Sequence, residues 1–417
     1  MDTYDVIVIG AGPAGLNAAR DLQKGGKRVV VLEARGRIGG RVRTERDRGI
    51  VEAGAEFIHG EHAATWEMAE ELNLKTVTWG PENADSYRIF GKGGQIRHDT
   101  DELFKRFAKS DDDLWKYEGP DVSLAEYFRK FSTDEEAAFY KLREIADIET
   151  ADPGLLSVRS IINEERLATN GARNFWITDG YSTLMEGFAR GLDIKLRHRV
   201  VRVRWKKDFV ELECENGAHI NAARLVMTMP IGVMKRCPPE FLPLLPTAFE
   251  AGVRAIGFGN ATKMTFWVDG PIPDFRALDT AGLVGHWWQR RFGPENVIVG
   301  FSGGTRADQL TRMGEKEAIS VGIAELADGL GSAIKHMIMH ACHFTWSDDP
   351  YAYGSYSFPT VGMEDTRDIL ARPIEDTLYY CGEATNTRGH PGTVHGSIEE
   401  GKRVARDILA LGDVGVQ

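Results

Sequence analysis

Three glycines near the start of the chain have the spacing of a phosphate-binding turn. Gly10, Gly12 and Gly15 form a G-x-G-x-x-G pattern, and Ala14 lies within it. In this pattern the first glycine permits a tight turn, the second lets the backbone approach a pyrophosphate, and the third lets a helix pack closely on a strand. Further on, the carboxylate of Glu33 can accept a hydrogen bond from a ribose hydroxyl. These residues predict a dinucleotide site.

The segments around these residues have the patterns of a strand, a helix and a second strand. Residues 4–9 read YDVIVI, an apolar β-branched run typical of a buried parallel strand. Residues 10–26 predict a turn and a helix that stops at two glycines, and residues 27–33 read KRVVVLE, a second strand. The helix N-terminus then presents free N–H groups to the phosphates. A glycine-rich turn without a ligand is the alternative, but it does not explain why a strand, the glycines, a helix, a second strand and an acidic residue follow in this order.

Composition limits the classes of protein and partner. With 417 residues the chain is too long for one hydrophobic core, so two domains are expected. A net charge of −11 disfavours nucleic acid and anionic membranes and suits a cationic substrate. Four scattered cysteines without a CxxC pair predict neither disulfides nor a metal site. No apolar run approaches the roughly 20 residues of a membrane span, and no signal peptide precedes Tyr4, so a cytoplasmic protein is expected.

A second motif follows Glu33 and indicates which dinucleotide binds. Residues 34–44 read ARGRIGGRVRT. Here the chain resembles the flavin amine oxidase superfamily, in which Glu-x-x-x-Arg-x-Gly-Gly-Arg follows the second strand. The resemblance implies FAD rather than NAD, with Arg35, Gly40 and Arg41 at the cofactor. The planar guanidinium of Arg41 can supply donors to a diphosphate; a basic surface loop is the alternative.

The C-terminal region resembles the segment with which the superfamily closes its FAD site. Residues 378–383 read LYYCGE, and residues 394–409 have the apolar spacing of an amphipathic helix. The resemblance implies that Gly382 and Glu383 contact the ribityl or phosphate region and that Thr393 and Val394 offer backbone to the flavin ring. The N-terminus of the helix would stabilise negative charge on the reduced flavin. A purely structural strand and helix is the alternative.

The middle of the chain supplies the third part of this domain. Residues 196–230 predict a three-stranded ribbon with a turn at 215–217. By resemblance, Val200 packs near the adenine and Pro230 lies beside the flavin. The fold class expected is α/β, with a Rossmann-like FAD-binding domain assembled from discontinuous segments and an α+β substrate-binding domain with a helical insertion. The expected boundaries are 1–75, 190–255 and 345–417 for the first domain, and 76–189 and 256–344 for the second.

The resemblance also places residues at the reacting end of the cofactor. Lys263 lies in an alternating segment, NATKMTFWVD, where the superfamily keeps a lysine bonded through water to flavin N5. Trp346 begins WSDDPYAYGSYS, similar to the motif of polyamine oxidases and histone demethylases whose tryptophan packs on the flavin and whose tyrosine, here Tyr356, lines the substrate cavity. Ser355 stands where monoamine oxidases have a flavin-linking cysteine, so noncovalent FAD is expected. The alternatives are a solvent-facing lysine and ordinary core packing.

Three further positions are expected at the substrate. The sequence GAEFIHG contains Glu56, Phe57 and His59, and it resembles the GA-x-W-I-H-G of animal polyamine oxidases, whose histidine faces substrate. Glu149 aligns loosely with an active-site glutamate of plant polyamine oxidases and could pair with a distal ammonium. A structural histidine and a solvated helical face are the alternatives. For the segment 286–288, His-Trp-Trp, core packing is expected, and an aromatic surface at the substrate is the alternative.

Together these expectations describe a FAD-dependent amine oxidase. Hydride would pass from the carbon beside a neutral amine to flavin N5, water would hydrolyse the iminium to an aldehyde or ketone, and O₂ would be reduced to H₂O₂ with the help of Lys263. Thr393 stands where monoamine oxidases have a second cage tyrosine, which favours a polyamine substrate. The alternatives are an L-amino-acid oxidase of the same superfamily, a desaturase or porphyrinogen oxidase, and a protein-directed demethylase or non-catalytic FAD-binding module. The particular amine and the oligomeric state stay open.

Overall fold

The computed structural model describes residues 4–79, 87–89, 96–98, 102–272, 275 and 277–411. Strands β1 to β22 span, in chain order, Tyr4–Ile9, Val29–Glu33, Thr44–Glu45, Val51–Glu52, Ile58–His59, Thr76–Thr78, Tyr87–Ile89, Ile96–His98, Asn174–Ile177, Asp193–Leu196, Val200–Lys206, Phe209–Cys214, His219–Met227, Glu240–Leu242, Gly257–Phe258, Ala261–Val268, Leu278–Asp279, His286–Arg290, Asn296–Gly303, Ile338–Thr345, Ser357–Phe358 and Leu378–Tyr380. Helices α1 to α14 span Pro13–Lys24, Thr65–Glu71, Glu102–Trp115, Leu124–Phe131, Glu135–Ile148, Val158–Leu167, Ser182–Phe188, Ile231–Arg236, Thr247–Ala255, Gly304–Met313, Glu315–Leu330, Ile334–Met337, Thr366–Ala371 and Val394–Ala410. A short 3₁₀ helix spans Glu383–Thr385.

The larger sheet joins strands from the beginning, middle and end of the chain. Its strand order is β10-β2-β1-β13-β12-β11-β14, and β22 pairs with β13. The contacts of β1 with β2 and β13, of β2 with β10, and of β13 with β22 are all parallel. Strands buried on both faces of such a sheet have continuous apolar runs, as YDVIVI and VVVLE do. The predicted parallel strands are confirmed.

Helix α1 forms where its sequence signals predict it. Pro13 occupies its first turn, where a missing N–H costs no hydrogen bond, and the helix ends at Gly25. Its apolar face buries Leu16 and Leu22 completely against the sheet and α14, each contributing roughly 1.5–3 kcal/mol. The two helices touch closely at Gly401, where an added Cβ would lie 2.4 Å from the carbonyl oxygen of Ala14.

The predicted three-stranded ribbon is also confirmed. Strand β12 pairs antiparallel with β11 on one side and with β13 on the other. The turn between β12 and β13 places Gly217 at φ +82°, a left-handed conformation that costs glycine little. The ribbon extends the parallel sheet and places Val200, at the start of β11, beside the large cavity described below.

A second sheet has the order β17-β18-β19-β16-β20 and pairs antiparallel throughout. The side chains of strand β16 point alternately to two different faces of the sheet, as the period of two in a strand predicts. Met264, Phe266 and Val268 pack in a core with residues of α11, whereas Lys263 belongs to the opposite face and borders the cavity. The strand predicted around Lys263 is thus confirmed.

Helices dominate the region before the ribbon, as expected. Helices α4, α5 and α6 enclose an apolar cluster around Leu124, Ile145 and Ile161. The C-terminal end of α5 borders the cavity through Glu144 and Ile148. The mixed α/β class with a parallel sheet is confirmed, and the exact domain boundaries stay a prediction. Across the described ranges, no helix is both long and apolar enough to cross a bilayer.

Candidate active site

A cavity of about 730 Å³ is bordered by segments of both the larger, mainly parallel sheet and the second, antiparallel sheet. It is bordered by every residue that the sequence singled out except Gly15. The glycine turn and the end of β2 form one part of its wall, and the end of α5 with strands β16 to β19 forms another. Residues separated by almost the whole length of the chain therefore border one continuous space.

The glycines of the first turn have different spatial roles. Gly10 has φ +104°, and a Cβ there would lie 2.4 Å from Oγ1 of Thr228. A Cβ on Gly15 would lie 2.0 Å from the carbonyl oxygen of Gly10, so Gly15 serves the packing of helix on strand. At Gly12 and Gly382, both in the cavity wall, an added Cβ would meet no protein atom within 4 Å. The backbone at these two positions therefore borders open space.

Glu33 ties the glycine turn to the end of β2. Its side chain is 6% exposed. One carboxylate oxygen accepts the N–H of Ala11 at 2.8 Å, and the other accepts the N–H of Arg35 at 2.8 Å. Since each carboxylate oxygen can accept more than one hydrogen bond, capacity remains on the cavity side for hydroxyl donors.

Two arginines join the N-terminal segment to the C-terminal one. Arg41 donates to Glu383 at 3.0 Å and to the carbonyl of Ser355. Glu383 is 3% exposed, and its second oxygen accepts the hydroxyl of Ser357 at 2.6 Å. Arg35 forms an ion pair with Asp349 at 2.6 Å. The pairs hold both guanidinium groups at the cavity wall with their charges largely compensated.

Helix α14 directs its N-terminus to the cavity. Thr393 caps the helix by accepting the N–H of Gly396 at 2.9 Å, and Thr393, Val394 and Ser397 border the cavity. A helix of 17 residues carries a partial positive charge at this end. The site therefore favours negative charge on a group that lies against Thr393.

Lys263 is buried, and its ammonium donates mainly to the loop after β4. Its Nζ lies 2.5 Å from a carboxylate oxygen of Glu56, 2.8 Å from the carbonyl of Gly54 and 3.4 Å from the carbonyl of Glu52. The other oxygen of Glu56 accepts the indole N–H groups of Trp176 and Trp288. The side chain of Glu56 is thus committed to protein partners at the cavity wall.

His59 faces the cavity from the strand that follows this loop. Its Nδ1 lies 2.8 Å from Oδ1 of Asn174, which also borders the cavity. Desolvation lowers the pKa of His59 below its ordinary value, with Lys263 adding a smaller effect in the same direction. The imidazole is therefore neutral at pH 7, and its hydrogen bond with Asn174 fixes the orientation of the ring.

Glu149 and Tyr356 lie together at the end of α5. The hydroxyl of Tyr356 donates to the carbonyl of Ile148 at 2.5 Å. Burial, reinforced by the negative charge of Glu164, raises the pKa of Glu149 to about 7. Burial also raises the pKa of Tyr356, so its phenol stays neutral. Among the described residues, the carboxylate of Glu149 has no hydrogen-bond or ion-pair partner.

Residues 286–288 all border the cavity. Trp287 and Trp288 are also buried in apolar clusters, so core packing is confirmed for these two. His286 contacts two carboxylates, Asp279 at 2.8 Å through Nδ1 and Asp147 at 2.9 Å through Nε2. The HWW run carried no signal that would separate a cavity wall from a core, since buried tryptophans serve both. Sequence reasoning also missed other residues of this wall, namely Trp79, Glu144, Asn174, Asp279 and Phe301.

No group of three or more histidine, cysteine, aspartate or glutamate side chains suited to a metal ion occurs within the described part of the chain. The arginines that border the cavity, Arg35, Arg41 and Arg199, all belong to the part near the glycine turn and the ribbon. On the side formed by α5 and the second sheet, the described wall contains acidic and aromatic side chains and no arginine.

Comparisons with known proteins agree with this architecture. The family model for flavin containing amine oxidoreductase matches residues 13–409. Polyamine oxidase 4 of Oryza sativa subsp. japonica is 27% identical over 431 residues, which cover 95% of this chain and 86% of that protein. Lysine-specific histone demethylase 1B of Mus musculus is 27% identical over 449 residues, covering 97% of this chain and 53% of that protein.

Two solved structures have the same fold. Wild-type putrescine oxidase bound to putrescine has a TM-score of 0.87 at 20% identity and covers 98% of this chain and 99% of its own. Cyclohexylamine oxidase from Brevibacterium oxydans IH-35A has a TM-score of 0.86 at 20% identity with the same coverage. At this identity the two structures establish the fold alone. With the family match extending over almost the whole sequence, this protein belongs to the flavin containing amine oxidoreductases.

Proposed function

We propose that this protein is an oxidase of small diamines or polyamines that binds FAD noncovalently and uses O₂ as the electron acceptor. The substrate would be a small molecule with a second cationic nitrogen. The products would be H₂O₂ and an imine, which water hydrolyses to an aldehyde or ketone and an amine or ammonia. The observation that carries the proposal is the carboxylate of Glu149, which has no partner among the described residues and lies beside Tyr356 in a cavity whose far wall is acidic and aromatic.

The residues at the cavity fit FAD. Open space at Gly12 and Gly382 leaves room for a pyrophosphate and a ribityl chain close to the backbone. Glu33 retains acceptor capacity for ribose hydroxyls, Arg41 is positioned by Glu383 and Ser355, and Val200 borders the part of the cavity suited to an adenine. When bound, the flavin would supply the hydride acceptor and would pass the electrons on to O₂.

The chemistry of Ser355 supports noncovalent attachment. Ser355 is 5% exposed, and its hydroxyl donates to Oγ1 of Thr150 at 3.1 Å. A serine hydroxyl at this place lacks the nucleophilic sulfur with which a cysteine would form a thioether. We therefore expect polar contacts and burial alone to retain the cofactor.

The side chains on the substrate side would bind and orient the amine. The aromatic walls around Trp288 and Tyr356 exclude water from the reacting nitrogen, which must be neutral to release a hydride from its neighbouring carbon. Neutral His59, oriented by Asn174, can accept a hydrogen bond from this amine. Ionised Glu149 can bind the distal ammonium and so fix which carbon lies at the reacting position.

The same wall disfavours an L-amino-acid substrate. A substrate carboxylate needs a cationic clamp, and the described wall on this side contains no arginine. Lys263 does not replace it, since its ammonium is paired with Glu56. A methylated lysine in a peptide carries a cation but has no second free ammonium for Glu149.

Anaerobic stopped-flow reduction tests the proposal. Purified holoenzyme is mixed with putrescine, spermidine, butylamine, L-leucine and a dimethyl-lysine peptide, and loss of the flavin band near 450 nm is followed. We expect the two polycations to bleach the band fastest. Faster reduction by L-leucine or by the peptide would overturn the substrate class. Peroxidase-coupled detection of H₂O₂ in air then tests the acceptor.

A further inference from the structure

Glu56 borders the cavity, and its carboxylate has three protein partners. One oxygen of Glu56 accepts the indole N–H groups of Trp176 at 2.9 Å and Trp288 at 3.0 Å. The other lies 2.5 Å from Nζ of Lys263. Because the side chain of Glu56 is only 7% exposed, nearly all of the interactions of its carboxylate are with these three side chains.

Lys263 in turn has its three ammonium protons directed at the protein. The contacts with Glu56 and with the carbonyl of Gly54 are short, whereas the third, to the carbonyl of Glu52, measures 3.4 Å. An ammonium has three donors and no acceptor. The long third contact is the one that can turn towards a group in the cavity while the other two keep Nζ in place.

The tryptophans make the arrangement rigid. Both indole donors converge on one carboxylate oxygen from different strands, Trp176 from β9 and Trp288 from β18. The Trp288 ring also lies 5.9 Å from Nζ of Lys263. A buried carboxylate with two neutral donors and one cation is satisfied, whereas removal of its charge leaves a buried cation without a counter-charge.

We infer that Glu56 is a positioning residue that holds the Lys263 ammonium, charged and fixed, at the wall of the flavin cavity for the reaction of reduced flavin with O₂. The inference rests on the proposed acceptor. A fixed positive charge stabilises negative charge that develops on oxygen as electrons leave the flavin. In this inference Glu56 acts through Lys263.

The matched variants are Glu56→Gln, Lys263→Met and the double variant. Glu56→Gln removes the charge at nearly constant size, and a buried amine without a neighbouring negative charge holds its proton less tightly. The double variant removes both charges together, so it leaves no unpaired buried ion and is expected to fold. If Glu56 acts only through Lys263, Glu56→Gln has no further effect in the Lys263→Met background.

Two readouts are recorded from pH 6 to 10. The first is the visible absorption spectrum of the oxidised holoenzyme, which senses charge near the flavin ring. The second is the rate constant for the reaction with O₂ after reduction by dithionite, so that no amine substrate is involved. Glu52, His59 and Arg290 also lie within electrostatic reach of the pair, and all three are retained in every variant.

Glu52, with a pKa of about 8, titrates in every variant. We therefore expect Glu56→Gln to show an additional spectral step with rising pH that neither the unaltered protein nor the double variant shows. Across this step the O₂ rate constant should fall at least tenfold, to that of Lys263→Met. A Glu56→Gln spectrum without such a step, or an undiminished effect of Glu56→Gln in the Lys263→Met background, would overturn the inference. If Glu56→Gln shows the expected spectral step but the reduced unaltered protein does not react with O₂, the proposed acceptor is refuted instead.

Discussion

Glu149 offers the sharpest test of how substrates would be chosen. The perturbation is Glu149→Gln, which keeps the size of the side chain and removes the charge of a carboxylate that has no partner among the described residues. The relevant quantity is the ratio of kcat/KM for putrescine to that for butylamine, two amines that differ by one terminal ammonium. The ratio cancels the requirement, common to both, for a neutral reacting nitrogen.

The size of the effect follows from the ionisation of this side chain. A hydrogen bond between a carboxylate and an ammonium at a partly buried site is worth about 1.5–3 kcal/mol, or roughly a 10- to 150-fold change in the ratio. With a pKa of about 7, Glu149 is mostly ionised at pH 8 and mostly neutral at pH 6. The variant should therefore lose 10- to 150-fold in the ratio at pH 8 and much less at pH 6.

Steady-state kinetics with both amines at pH 6, 7 and 8 measures this ratio. Glu165→Gln is the matched control, because Glu165 affects Glu149 only through its charge and does not border the cavity. This control should retain the preference for putrescine at pH 8. Equal losses for the two amines in Glu149→Gln, or a ratio independent of pH in the unaltered protein, would refute the reasoning.

Two other predictions follow from buried groups near the cavity. Denaturation of the holoenzyme by acid, followed by ultrafiltration, should release all the yellow cofactor as FAD into the filtrate, because Ser355 cannot form a thioether; yellow colour that stays with the protein would contradict this. Burial raises the folded-state pKa of Glu52 from 4.5 to about 8, so this group destabilises the fold as pH rises through that range. Relative to Glu52→Gln, the unaltered holoenzyme should lose about 2–3 kcal/mol of unfolding free energy between pH 5 and 7. Urea unfolding of both proteins at the two pH values measures this loss, and equal changes in the two proteins would contradict the prediction.

The parts of the site that could be predicted from sequence depend on local patterns. The glycine turn, the position of Glu33 at the end of β2 and the start of α14 each depend on turn chemistry and apolar spacing within about 20 residues. Arg41 and Glu383 could be named because each belongs to a compact motif. Their mutual contact across the chain was not predicted, because no local pattern encodes it.

The remaining parts depend on contacts between distant segments, which no local pattern encodes. That Glu56 contacts the cofactor stays a prediction, and its carboxylate binds Lys263, 207 residues away, and two indoles. Asn174 and Asp279 lie in short strands with no distinctive neighbours, so nothing in their local sequence marked them. The i and i+4 positions of Glu144 and Ile148 share a helical face, but packing alone decided that this face borders the cavity.

The close packing of α1 on α14 has a consequence for synthesis of the protein. The first helix leaves the ribosome long before residues 394–410, with which it packs at Gly401. At ordinary elongation rates the interval is roughly 20–75 s. During this interval the apolar surface around Leu16 and Leu22 is not yet covered by α14, so the nascent chain depends on protection from aggregation. A premature stop before codon 394 should yield an insoluble product without partial activity.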